Sequence, residues 1–125
     1  MNIHLDTSLV VDALSGPRRS HGAMREAVAQ GHRLSVSAIV LFEWLRGPRT
    51  DLELARHTQL FPPNAAVPFG PEEAATAARL YRSVRRARGR EADIAIAACA
   101  LEHRAALWTL NPGDFSDIPG LILYR

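Results

Sequence analysis

The stretch Asn2-Ile-His-Leu-Asp-Thr-Ser8 decides how the rest of the chain is read. Asn2 to Leu5 has the character of a short strand ending at Asp6, and Thr7 or Ser8 stands where it can cap a helix running through Val10, Val11 and Leu14. Gly16 and Pro17 then stop that helix. A carboxylate at the end of a strand otherwise built for burial points into a crevice rather than a core.

The same pattern continues outward. A second helix is predicted from Ser20 to Gln30, with Gly31 in the position that favours a helix C-terminus, and Leu34 to Val36 is a second strand. Ser37 opens an apolar helix through Leu41, Trp44 and Leu45, which Gly47 and Pro48 stop. Thr50 and Glu53 have capping-box spacing, so Asp51 to Leu60 is a helix ended by Pro62 and Pro63. Ala65 to Phe69 is a candidate strand. Pro71, Glu72 and Glu73 form a favourable first turn for a long helix toward Arg88, ended by Gly89. An Ala-rich helix takes in Asp93 to Glu102, Ala106 to Leu110 is a buried strand, Asn111 to Gly113 a turn, and Leu121 to Tyr124 a last strand. Short strands alternating with helices imply crossover connections, hence a single α/β domain over residues 1–125 with a central short parallel sheet flanked by helices. Ligands collect beyond the carboxyl ends of such strands, the side where Asp6 and Asp114 fall.

Composition narrows the function. The 125 residues suit one domain, and the opening stretch, carrying His4 and Asp6 and no basic flank followed by a cleavage site, does not read as a signal peptide. No stretch is apolar for long enough to suggest a membrane span. The single cysteine, Cys99, reads as a buried hydrophobe and fits a reducing cytoplasm. All 15 basic side chains are arginines. Without lysine there is no GxxxxGK[ST] phosphate loop, and receiver domains and haloacid-dehalogenase-like phosphatases lose their active-site lysine. The phosphatases' second Asp is also missing, since that position is Ser8. There is no GxSxG nucleophile turn, and His4, His21, His32, His57 and His103 show no ligand or triad spacing.

Four acids stand apart from the ordinary surface. Asp6 ends a strand, Glu43 sits between Phe42 and Trp44 in an apolar helix, Asp93 opens a helix that is apolar from Ile94 to Leu101, and Asp114 follows a buried strand. Singly, each has a bland explanation: a helix cap, a partner for Arg46, a first-turn residue favoured by the helix dipole, a turn residue. Gathered together, they would repel one another and take up protons unless a divalent cation compensated them. Oxygen-only ligands point to Mg²⁺, with Mn²⁺ as substitute.

The segments Ile3-His-Leu-Asp-Thr-Ser8, Ser37-Ala-Ile-Val-Leu-Phe-Glu-Trp44, Glu91-Ala-Asp-Ile-Ala-Ile-Ala-Ala98 and Trp108-Thr-Leu-Asn-Pro-Gly-Asp-Phe115, in this order, resemble the motifs of PIN-domain ribonucleases, and among them the toxins of VapBC-type toxin–antitoxin modules. The resemblance implies a PIN-like three-layer α/β fold, a cytoplasmic metal-dependent endoribonuclease, an antitoxin partner and a homodimer. Carried over position by position, it makes Asp6, Glu43, Asp93 and Asp114 the catalytic and metal-binding acids, with Thr7, Ser8, Thr109 and Asn111 in support. Pro112-Gly113 makes the loop before Asp114 turn-prone and leaves open whether Asp117 shares its role. The implied chemistry is hydrolysis of RNA phosphodiesters by a metal-activated water. A housekeeping RNA-processing nuclease of the same family and a non-catalytic RNA-binding module are the alternatives, the second disfavoured because every matched acid is still an acid.

Arg82, Arg85, Arg86, Arg88 and Arg90 crowd one segment. In a helix reaching Arg88, Arg79, Arg82 and Arg86 share a face, and Arg82, Arg86 and Arg90 are the expected RNA contacts; the plain alternative is a solvated face with Leu80 and Val84 turned to the core.

Overall fold

The computed structural model describes residues 1–125. Three strands, β1 (Asn2–Leu5), β2 (Arg33–Ser35) and β3 (Ala106–Trp108), pair in parallel in the order β2-β1-β3. Six helices flank them: α1 (Thr7–Leu14), α2 (His21–Ala29), α3 (Ala38–Arg46), α4 (Asp51–Leu60), α5 (Pro71–Ser83) and α6 (Glu91–Glu102). On β1, Ile3 and Leu5 face one side of the sheet and His4 the other, and all three are buried. A strand buried on both faces needs helices on both, which makes this a three-layer α/β fold.

Local chemistry explains most element ends. Ser37 Oγ accepts the Val40 N–H at the start of α3, and Thr50 and Glu53 form both bonds of a capping box at the start of α4. Glu73 Oε1 accepts the Gly70 N–H below α5. The α3–α4 corner is held by Trp44, fully buried with the His57 ring stacked on it and the Arg49 guanidinium 4.2 Å from its centroid. Helix α6 is buried from Ile94 to Ala100, including Cys99, whose thiol burial pushes up to about 11.

Three expectations need correction. The helix predicted to reach Arg88 ends at Ser83: Val84 is extended, and Ala87 drops into the core beyond the break. Burial of Ala87, with repulsion along the arginine run, outweighs one more turn of helix. Gly89 therefore does not end α5; with φ +86° it shapes the turn into α6, where its N–H meets the Glu91 carboxylate. The strands predicted at Ala65–Phe69 and Leu121–Tyr124 shrink to single parallel bridges, Ser37 to Val67 and Leu107 to Leu123.

Candidate active site

The carboxyl ends of the strands and the N-termini of the helices that follow them meet on one side of the sheet. The Asp6 N–H donates to the Trp108 carbonyl at 2.9 Å, extending the β1–β3 pairing by one residue and placing Asp6 beside Thr109. Asp6 holds the N-cap position of α1, yet its side chain makes no cap bond. Instead Oδ2 accepts from Ser8 Oγ at 2.8 Å and from Thr109 Oγ1 at 2.7 Å, which leaves Oδ1 without a hydrogen bond. These hydroxyls are in turn fixed by backbone, since the Leu110 N–H donates to Ser8 Oγ and the Asn111 N–H to Thr109 Oγ1. Asp6 as a residue is only 5% exposed, so the orientation of its side chain is set by the fold and not by solvent.

Glu43, on α3, accepts from Thr7 Oγ1 and pairs at 3.4 Å with Arg46, the partner that three-residue spacing offers. Asp93, in the first turn of α6, has neither a hydrogen bond nor an ion pair at its carboxylate, and burial, followed by the charges of Asp6, Asp114 and Glu43, pushes its pKa up to about 6. Asp114 lies exposed at the end of the 3-10 turn Pro112–Asp114, its carboxylate also unpaired. The four acids thus face one another closely enough to act electrostatically. They do not line an enclosed pocket: the three cavities of the molecule lie elsewhere, against α2 and α4, between α5 and α6, and beside Tyr124.

No three Asp, Glu, His or Cys side chains stand close enough to form a closed coordination shell. Uncompensated carboxylates repel and stand apart. What the site offers is an all-oxygen donor set with the Asp6 Oδ1 and both oxygens of Asp93 and Asp114 free of hydrogen bonds. This fits a hard cation that keeps several waters and takes one or two carboxylates directly, and does not fit a dehydrated four-ligand cage.

The supporting polar residues divide. Thr7, Ser8 and Thr109 bond the acids directly, while Asn111 contributes only its backbone N–H. Asp117 is drawn away from the group: the Arg90 guanidinium holds both its oxygens, at 2.9 and 2.7 Å, and keeps its carboxyl below the usual range. That pair joins residues 27 apart in sequence and carried no local signal. Among the arginines, Arg82 and Arg86 are exposed, but Arg86 lies beyond the end of α5 with φ +55°, so the shared helical face of Arg79, Arg82 and Arg86 does not form. Arg90 is half-buried and its terminal nitrogens are all engaged.

A short all-parallel sheet with carboxylates gathered past its strand ends defines a class of α/β fold, and sequence comparison gives that class a family. The PIN domain model matches residues 3–121, and the chain belongs to the PIN-domain family. Solved structures agree on the fold. A chain of DNA-bound VapBC from Salmonella typhimurium aligns with TM-score 0.78 and 19% identity, covering 99% of this chain and 97% of that one. A chain of VapBC2 from Rickettsia felis, bound to a promoter DNA fragment, gives 0.76 and 21%, covering 99% and 98%. A toxin–antitoxin complex from Klebsiella pneumoniae gives 0.72 and 25%, covering 98% of each chain. No curated protein matches the sequence significantly. No helix is long and apolar enough to cross a membrane.

Proposed function

We propose that this protein is a divalent-metal-dependent endoribonuclease acting as the toxin of a type II toxin–antitoxin pair. The observation that carries the reading is the pair of unpartnered carboxylates, Asp93 and Asp114, beside an Asp6 whose Oδ2 is tied down and whose Oδ1 is free. Membership of the PIN-domain family and the likeness to chains of toxin–antitoxin complexes support the same reading.

In this reading Asp6 and Asp93 hold Mg²⁺ or Mn²⁺ directly, and Glu43 and Asp114 act through water or at a second cation. The cation, when bound, acidifies a water and offsets the charge that develops on the phosphate oxygens. The chain's own residues prepare for it. Ser8 and Thr109 orient Asp6, Thr7 and Arg46 each hold one oxygen of Glu43, and a cation would favour the ionised form of Asp93 that burial and the neighbouring acids disfavour. Arg82 and Arg86 remain exposed to meet RNA phosphates that the acids would otherwise repel. Arg90 drops out of that role, its donors already taken. For partners, Phe42 and Leu45 share one face of α3 and are 57% and 56% exposed, a surface suited to an antitoxin segment or a second copy in a homodimer.

The test is RNA cleavage with Mg²⁺, with Mn²⁺ and with excess chelator, by the parent and by Asp93→Asn. Cleavage should need the cation, and the variant should fold normally and lose it. Full activity in chelator, or a folded variant as active as the parent, rejects the reading.

A further inference from the structure

We propose that Arg90 is a positioning residue that sets the distance between Asp93 and Asp114, and that Asp117 serves this latch instead of the cation. The proposal rests on the nuclease reading for its meaning, and on four hydrogen bonds for its substance.

Arg90 is the residue from which α6 starts: the Ile94 N–H donates to its carbonyl, and Asp93 follows it by three residues in the first turn. Its side chain leaves that helix and crosses to the loop after β3. There NH1 donates to Asp117 Oδ2 at 2.9 Å, and NH2 donates to Asp117 Oδ1 at 2.7 Å and to the Asp114 carbonyl at 3.0 Å. NH1 also reaches back to the Arg85 carbonyl at 3.1 Å, which ties the segment after α5 into the same joint. One planar fork thus fixes backbone on either side of the site. A guanidinium can do this because its donors point in fixed directions, whereas a lysine ammonium offers one point of contact.

Other bonds hold the two ends of the loop: the Leu110 and Asn111 N–H groups donate to Ser8 Oγ and Thr109 Oγ1, and the Ile118 N–H donates to the Phe115 carbonyl. Asp114 is exposed, and its turn is closed by the short-range bonds from the Asp114 N–H to the Asn111 carbonyl and from the Phe115 N–H to that of Pro112. Phe115 and Ile118 are buried in the same core cluster as Ile94 and Ile96 of α6 and anchor the segment from below, while the Arg90 fork is the side-chain bond that reaches the Asp114 carbonyl itself. Asp117 balances part of the guanidinium's charge, and Arg90 also acts electrostatically on Asp93 and Asp114 beside it.

Mn²⁺ binding by calorimetry, steady-state RNA cleavage and amide exchange of the metal-free protein test this in Arg90→Gln, Arg90→Lys and Asp117→Asn, with Asp93→Asn as the control. Removing such a supporting contact costs roughly 10- to 100-fold in metal affinity. Arg90→Gln and Arg90→Lys should both weaken Mn²⁺ at the low end of that range and lower kcat with KM for RNA little changed. Asp117→Asn should show a smaller loss, Arg90→Gln with Asp117→Asn should be no worse than Arg90→Gln alone, and the Asp114 and Phe115 amides should exchange faster in each. Should Arg90→Gln not fold, Arg90→Lys and Asp117→Asn carry the same expectations. Parental Mn²⁺ affinity in a variant that merely melts lower overturns the proposal, leaving an ordinary ion pair. Full rescue by Lys overturns it in favour of charge alone, and a rise in KM with kcat unchanged overturns it in favour of an RNA contact. If Asp93→Asn binds Mn²⁺ like the parent, the nuclease reading fails. The latch is then decided by amide exchange alone, faster in Arg90→Gln supporting it and unchanged overturning it.

Discussion

Asp6 is a case in which a residue's local and tertiary roles compete and the tertiary one wins. By position it caps α1, and Asp is among the better residues for capping. Its carboxylate turns away because Ser8 and Thr109 offer it two hydroxyl donors on one oxygen. Asp93 shows the cost of burying a carboxylate beside other acids. Its pKa rises from 3.8 to about 6, so the fold disfavours its charged form. The resulting destabilisation is fully present above about pH 6, relieved as pH falls through that value, and absent below about 3.8. After discounting for solvent screening of a partly exposed group, it amounts to ~1 to 2 kcal/mol. Metal-free Asp93→Asn should therefore melt above the parent at pH 7.5, and the gap should close by pH 4. Saturating Mn²⁺ should reverse the order at pH 7.5, because only the parent gains from binding. Melting curves at the two pH values with and without Mn²⁺ check both signs, and a gap independent of pH refutes the account.

At the scale of elements, what was readable depended on how local the signal was. The α4 start is set by Thr50 and Glu53, three residues apart, and the structure shows both capping bonds. The end of α5 is set by Ala87 entering the core, a fact of tertiary packing to which helix propensity is blind. The shorter helix divides the basic run into two separate groups: Arg79 and Arg82 on α5, Arg85 and Arg86 on the segment beyond it. Phosphate contact through Arg82 and Arg86 no longer needs a shared face, only exposure. Replacing both by Gln should reduce the log-log salt slope of RNA binding by roughly 0.7 per lost contact and weaken binding about equally for unrelated sequences. Filter-binding at several salt concentrations measures this. An unchanged slope assigns the RNA path elsewhere.

For the whole molecule, the open arrangement of the acids matters more than any cavity. On the proposed function, a site outside any enclosed cavity, with Asp114 exposed at its edge, would be open to an RNA backbone and equally to a protein segment carrying an arginine, which would neutralise the acids as a cation does. Expression of this chain alone should arrest growth. Co-expression with a small antitoxin encoded beside it should relieve the arrest, while Asp93→Asn should be harmless from the start. A chain that cuts RNA in vitro and leaves growth untouched is a housekeeping nuclease of the same family.

The sequence by itself determined the α/β class, the parallel sheet and five helices to within a few residues, because each rests on short-range patterns of apolar runs, caps and breakers, and it marked four acids as candidates. The tertiary structure alone decided which partners those acids have. Thr109 reaches Asp6 across 103 residues and Arg90 reaches Asp117 across 27, so their meeting depends on sheet order and loop packing. It also decided that the Arg90 side chain bonds Asp117 and the Asp114 carbonyl, and that two predicted strands reduce to single bridges. Contacts of that kind are selected by the packing of the whole core, which no local pattern in the chain encodes.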